Sequence, residues 1–180
     1  MQLSNEDIEN IFREHQALYE KARDRGSIGR YTSDEYDLEY AIVSPDEVCE
    51  KQPYKGRAFG TLVVDIPSYY RDSEGTLEKA INDGNFMFFI VKDHVPEDYY
   101  GFLVVHEYVE MINRGDHGIA TREEFREVAK KGDELLRQYS AWWIKDNKKI
   151  LEGLDEANRN ALRELVPEIT KEMLHEEGYI

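Results

Sequence analysis

The chain is long enough for one folded domain and is strongly acidic. It has 180 residues, 41% of them hydrophobic and 12% aromatic, so it can bury a sizeable core. Its 38 acidic residues outnumber its 23 basic residues, and the net charge is −15. A surface of this charge repels nucleic acid phosphates and anionic membranes, so we expect neither as a partner. Affinity for cations or basic peptides, and mimicry of nucleic acid charge, stay open.

The cysteine content and hydropathy bear on the compartment. Cys49 is the single cysteine, so the chain cannot form an internal disulfide, which is typical of a reducing cytoplasm. No stretch approaches the roughly 18 apolar residues of a membrane span. The acidic N-terminal segment does not have the charge pattern of a signal peptide. These features predict a cytoplasmic protein.

The first half of the sequence contains one helical pattern and several strand-like patterns. Residues 4–25 repeat apolar side chains at helical spacing, and Ser4 is expected to cap this helix. Runs of β-branched and aromatic residues predict strands at 37–44, 57–66 and 85–92. A short helix is predicted at 74–83, with loops at 26–36 and 45–56.

The second half of the sequence is helical. Residues 97–114 predict one helix, which the glycine-containing segment 115–118 ends. Thr121 is expected to cap the following helix, with Glu124 in the capping-box position. This helix runs to about residue 151, with an interruption near Gly132, and a last helix at 155–176 is split by Pro167.

This order of elements predicts the fold class. A helix, then strands, then helices indicate an α+β fold with a small mixed or antiparallel sheet and a helical C-terminal half. We expect a single domain over residues 1–180, in which residues 133–180 form a helical C-terminal extension.

The segment 102–118, FLVVHEYVEMINRGDHG, carries the chemical signal of the chain. His106 and Glu110 are four residues apart, so on a helix they share one face and could hold one cation. Glu107 stands beside them, in a position suited to a general base for a metal-activated water. His117 follows the glycine turn and would supply a third ligand. Three protein ligands leave one position open, as catalytic zinc requires.

This segment resembles the active-site helix of the zincin metallopeptidases, whose motif is H-E-x-x-H. It is also similar to the metzincin extension, in which a glycine ends the helix and a further histidine closes the site. The resemblance covers roughly residues 85–125 and implies a zincin-like fold and metal-dependent peptide hydrolysis. It implies His106 as a zinc ligand, Glu107 as the catalytic base, and a peptide or protein as substrate.

The sequence departs from the zincin pattern in its ligands. Glu110 stands where the motif has its second histidine, and His117 follows one residue later than in metzincins. A carboxylate ligand shifts preference toward harder ions, so zinc, manganese and iron are all candidate cofactors. Glu124 competes with His117 as third ligand, since gluzincin-type enzymes take a glutamate from a later helix.

A different class of function remains open. The chain could be a non-catalytic α+β module that binds a protein partner, with the exposed member of an aromatic pair such as Trp142-Trp143 as its contact surface. In that case the face that carries His106 and Glu110 simply meets water. The remaining histidines, His15, His94 and His175, lie among polar residues and are expected to be solvent-exposed.

Overall fold

A computed structural model describes residues 5–49, 87–93, 95–113 and 115–180. The strand predicted at 57–66 and the helix predicted at 74–83 lie outside the described residues, as do Ser4 and His94. In chain order the described elements are helix α1 (Asn5–Asp24), strands β1 (Ile28–Thr32) and β2 (Asp37–Val43), helix α2 (Pro45–Cys49), strand β3 (Phe88–Val91), a 3-10 turn (Glu97–Tyr99), and helices α3 (Tyr100–Ile112), α4 (His117–Ala129), α5 (Asp133–Asp146), α6 (Lys148–Glu152), α7 (Glu156–Leu165) and α8 (Glu168–Glu176).

The described strands form a mixed sheet in the order β1-β2-β3. Strands β1 and β2 are antiparallel, with Ile28 opposite Ala41, and β2 and β3 are parallel, with Tyr40 opposite Phe88. The predicted α+β class is therefore confirmed, and the sheet is of the mixed kind.

The burial of strand β3 on both faces explains why its sequence is an unbroken apolar run. Phe89 and Val91 point toward α1, where they pack with Leu18 and Ala22. The alternate residues, including Phe88, point to the opposite face and join the main core with helix α3. A strand that is buried on both faces needs apolar residues at every position, so it does not alternate. The strand predicted at 85–92 is confirmed within the described residues.

Two short elements lie where loops were predicted. Strand β1 occupies part of the predicted loop 26–36. Its sequence, IGRYT, has few apolar residues, but pairing with β2 provides hydrogen bonds for its backbone. Helix α2 lies in the predicted loop 45–56. Pro45 starts it, and the Glu47 carboxylate accepts from the Ser44 backbone N–H at 2.9 Å, as in a capping box.

The helical half has the breaks that its sequence predicts, and one further break at Asn147, which separates α5 from α6. Gly132 has a φ of 108° and separates α4 from α5, and Pro167 separates α7 from α8. Side chains from α5, α7 and α8, including Tyr139, Leu162 and Leu174, lie in the same apolar cluster as those of α3. Among the described helices, none is both long and apolar enough to cross a membrane.

Several side chains are more buried than the sequence predicts. Both residues of the adjacent pair Tyr99 and Tyr100 are buried, although neighbouring residues on a helix point in different directions. His15 is also buried and packs edge-on against Phe89, which corrects the expectation that it meets solvent. His175 is exposed, as predicted.

Candidate metal centre

The polar face of α3 lies against α4 rather than in open solvent. Val104, Val105 and Val109 bury the apolar face of α3 in the main core. Glu110, on the other face, is only 8% exposed. Ala120 on α4 is fully buried, and its small side chain permits the close approach of the two helices. The polar face of α3 therefore lines the contact between α3 and α4.

The turn between the two helices brings the chain back over Glu110. Gly115 has a φ of 88°, a conformation that residues with a side chain rarely adopt, and its N–H donates to the Glu110 carbonyl at 2.7 Å. The Asp116 side chain then caps α4 by accepting from the Ile119 N–H at 3.0 Å. The prediction that Thr121 caps this helix was wrong, because Asp116 starts the helix earlier and makes His117 its first residue.

This turn brings His106, Glu110 and His117 together. His106 Nε2 lies 3.3 Å from His117 Nδ1 and 3.8 Å from Glu110 Oε2. His117 Nδ1 lies 3.2 Å from Glu110 Oε2. These three residues form a group whose donor atoms are close enough to hold one metal ion.

The spacing of the three donor atoms fits a tetrahedral ion. Metal–donor bonds of about 2.0–2.2 Å place the donors of a tetrahedral zinc site roughly 3.3–3.6 Å apart. The distances between His106, Glu110 and His117 fall within a few tenths of an ångström of this range. A circle through the three atoms has a radius of about 2.0 Å, so one point can lie at bonding distance from all of them.

The cluster lies at the protein surface, with one side closed. The side chains of His106 and Glu110 are 15% and 10% exposed, whereas that of His117 is 73% exposed. The two α3 donors are thus held by packing, and the α4 donor lies at the solvent edge. A small molecule could approach the cluster from the side of His117.

Glu124 lies on the opposite side of the His106 ring. Its Oε2 is 2.5 Å from His106 Nδ1, and its Oε1 accepts a hydrogen bond from the Tyr139 hydroxyl. Glu124 is 1% exposed and Tyr139 is fully buried. Because Glu124 contacts the nitrogen that faces away from His117, the alternative in which it replaces His117 as third ligand does not match this geometry.

The carboxylates around His106 favour a positive charge on it. Burial of the imidazole lowers the pKa of His106, but the charge and hydrogen bond of Glu124, with smaller effects of Glu107 and Glu110, outweigh burial and raise it to about 9. At neutral pH the ring therefore tends to hold protons on both nitrogens. A proton on Nε2 and a divalent cation would occupy the same position, so the surroundings of His106 suit either one.

Glu107 is half-buried on α3, next to His106. Its negative charge contributes to the raised pKa of His106, which places it within electrostatic range of the cluster. Its proposed role as general base remains a prediction. Tyr139, by contrast, was missed by sequence reasoning, since no local spacing relates it to His106, which lies 33 positions earlier in the chain.

The aromatic pair Trp142-Trp143 packs inward. The Trp142 ring contacts Tyr99 and Tyr139, and the Trp143 ring contacts Phe125. Both tryptophans are half-buried against the main core. Neither indole is the exposed anchor that the interaction-module alternative needs.

Comparison of the chain with protein-family models, with curated proteins and with solved structures finds no match.

Proposed function

We propose that this chain is a zincin-like metal-binding protein that hydrolyses peptide bonds, with His106, Glu110 and His117 as the ligands of one divalent cation. The observation that carries the proposal is the convergence of these three donor atoms from two helices to mutual distances of 3.2–3.8 Å. The proposal of catalysis rests in addition on the resemblance of the motif to the zincin active-site helix.

The donor set supports zinc as the cation. Two imidazoles and one carboxylate are the ligands of a known class of catalytic zinc sites, and structural zinc sites usually have four protein ligands. Three ligands leave one coordination position for water or substrate. Manganese and iron also accept this donor set, so the identity of the ion is a matter for measurement.

The bound ion, Glu107 and His117 would each have a different role in hydrolysis. When bound, the ion would act as a Lewis acid that lowers the pKa of water and polarises a substrate carbonyl. Glu107 would accept the proton of the attacking water and return it to the leaving amine. The exposed position of His117 would leave room for a peptide, and the net charge of −15 would favour basic substrates.

The metal-binding part of the proposal is tested by zinc stoichiometry. The wild-type protein, loaded with zinc and freed of excess ion, should hold one zinc per chain. His106→Ala and Glu110→Ala should each lose most of it, because each removes one of three ligands. His175→Ala is the matched control, since it removes an exposed histidine on α8 and should retain the full zinc content. Absence of bound metal from the wild-type protein would rule out the site.

The catalytic part of the proposal is tested separately. Two fluorescence-quenched peptide mixtures, one rich in lysine and arginine and one rich in aspartate and glutamate, should be cleaved by the zinc form at different rates, the basic mixture faster. Glu107→Gln should keep the zinc and lose at least 100-fold in kcat, because it removes only the general base. Full zinc content without cleavage of either mixture would leave a metal-binding protein that is not a peptidase.

The alternative of a non-catalytic interaction module stays a prediction. Its expected contact surface, the Trp142-Trp143 pair, packs against Tyr139 and Phe125, which supports the metal-binding proposal over this alternative.

A further inference from the structure

A buried chain of hydrogen bonds begins on the side of His106 that faces away from His117. The chain runs from His106 Nδ1 to one oxygen of Glu124, and from the other oxygen of Glu124 to the Tyr139 hydroxyl. It joins three helices, α3, α4 and α5, behind the proposed metal centre.

We infer that Glu124 and Tyr139 are a positioning pair, which holds the His106 ring in the orientation and tautomer that present Nε2 to the metal ion. This inference rests on the proposed function and extends it to residues that do not touch the ion. It predicts that metal affinity depends on two side chains that do not contact the ion but hold the His106 ring.

The hydrogen bond to Glu124 selects one tautomer of His106. A carboxylate can only accept, so His106 Nδ1 must carry the proton in this contact. A divalent cation that binds His106 displaces the proton of the other nitrogen, Nε2, while Nδ1 keeps its proton for Glu124. Nε2 is the nitrogen that lies 3.3 Å from His117 Nδ1 and 3.8 Å from Glu110 Oε2. The contact with Glu124 therefore directs the lone pair into the cluster.

Glu124 is in turn held by Tyr139. The Glu124 carboxylate is 1% exposed, so it depends on protein donors to satisfy both of its oxygens. Burial, followed by the charge of Glu124 and the hydrogen bond to it, raises the pKa of Tyr139 well above its ordinary value, so the hydroxyl keeps its proton and donates. With Tyr139 on one oxygen and His106 on the other, Glu124 has a single orientation.

Tyr139 is itself immobilised by aromatic rings. Tyr99, Phe102, Phe125 and Trp142 all contact its ring, with centroid separations of 4.9–5.6 Å. Rotation of Tyr139 would require displacement of this packed cluster, which is costly in a close-packed core. The aromatic cluster thus fixes Tyr139, Tyr139 fixes Glu124, and Glu124 fixes His106.

The experiment compares zinc affinity in three conservative variants by competition with a chromophoric chelator. Outer-shell partners of zinc-bound histidines typically contribute about 10- to 100-fold to metal affinity. We expect Glu124→Gln to weaken zinc binding about 10- to 100-fold, and Tyr139→Phe to weaken it about 10-fold. Tyr99→Phe is the matched control, because Tyr99 belongs to the same aromatic cluster but not to the chain of hydrogen bonds, and it should bind zinc like the wild type.

A second measurement separates positioning from a loss of folding. In the zinc-bound wild type, ¹⁵N chemical shifts should show His106 protonated at Nδ1 and metallated at Nε2. Tyr139→Phe, with an unchanged circular dichroism spectrum, should weaken or broaden the Nδ1–H signal, whereas Tyr99→Phe should not. A purely structural role of Tyr139 would leave this signal unchanged.

Failure of the positioning pair and failure of the proposed metal site give different results. If the wild type binds one zinc and Glu124→Gln and Tyr139→Phe bind it equally well, the positioning pair is wrong and the proposed metal site stands. If the wild type binds no zinc, the proposed site is wrong and the positioning pair is overturned with it.

Discussion

At the scale of single residues, His106 and His117 have different surroundings although both are proposed ligands. His106 bridges two carboxylates, with Glu124 on one nitrogen and Glu110 near the other, and its side chain is mostly buried. His117 contributes one nitrogen to the cluster and is 73% exposed. Removal of either histidine should weaken metal binding, but the two should contribute unequally to the stability of the protein without metal.

This difference predicts the result of removing each imidazole. His106→Ala leaves the buried Glu124 carboxylate without one of its partners, which should lower the unfolding free energy by about 2–5 kcal/mol. His117→Ala removes a mostly exposed ring, so the change should be about 0.5 kcal/mol or less. Urea denaturation in the presence of a chelator measures both values. Equal destabilisation by the two substitutions would contradict the contact between His106 and Glu124.

At the scale of secondary-structure elements, the turn after α3 determines whether the cluster forms. His106 and Glu110 share a helix face because they are four residues apart, but His117 belongs to the next helix. Its position depends on the backbone of Gly115, which adopts a φ of 88° and donates to the Glu110 carbonyl. A turn of another shape would begin α4 elsewhere and move His117 away.

Substitution of Gly115 tests the role of the turn. Gly115→Ala should cost about 1–2 kcal/mol of stability from the positive φ, and it should also weaken zinc binding at least 10-fold, because the turn must relax and shift His117. Gly132→Ala is the matched control, since Gly132 also has a positive φ, 108°, in a turn between helices but lies at the end of α4 away from the cluster. It should lose at least as much stability, because a φ of 108° with a ψ of 162° is a conformation that only glycine adopts readily, and it should keep its zinc affinity. Thermal unfolding measures the loss of stability, and chelator competition measures the loss of zinc affinity.

The elements that the sequence predicted well are those with strong local signals. Helix α3, strand β3, the interruption at Gly132 and the split at Pro167 each follow from apolar periodicity or from a residue with restricted or unusual backbone geometry. Strand β1 was missed because its stability comes from pairing with β2. The cap at Asp116 was missed because Thr121 with Glu124 has an equally good capping pattern, and Glu124 is instead used by His106 and Tyr139.

At the scale of the whole molecule, ionic and polar contacts join the β1-β2 hairpin to helix α4. The Tyr31 hydroxyl donates to the buried Glu127 carboxylate at 2.9 Å, and Lys130 pairs with the same carboxylate. Lys130 also contacts Glu35 at 2.9 Å, and Glu35 pairs with Arg126. These contacts link the sheet to the helix that supplies His117, so they stabilise the arrangement of the two halves.

The pKa of Glu127 predicts how this connection responds to acid. Burial raises the pKa of Glu127, but Lys130, Ser33 and Tyr31 outweigh burial and hold it below the ordinary value of 4.5. A folded-state pKa below the unfolded one means that Glu127 contributes its full stability above about pH 4.5, and that this contribution is lost as the pH falls through the folded-state value.

Glu127→Gln should therefore be less stable than the wild type at pH 7, and this difference in unfolding free energy should shrink below pH 4.5. Urea denaturation from pH 2 to pH 7 measures it. Glu172→Gln changes an exposed carboxylate on α8 and serves as the control, with a difference near zero throughout. A difference for Glu127→Gln that stays constant down to pH 2 would contradict the ionised Glu127 carboxylate as its source.

The amino-acid sequence by itself determined the α+β order of elements, the amphipathic helix α3 and the shared face of His106 and Glu110, because all three depend on spacing along the chain. Only the tertiary structure decided that His117 reaches the same point, that Glu124 contacts the far side of His106, and that Tyr139 holds Glu124. The reason is physical: these contacts depend on the dihedral angles of one turn and on the packing of α3, α4 and α5, and neither is encoded in a local pattern.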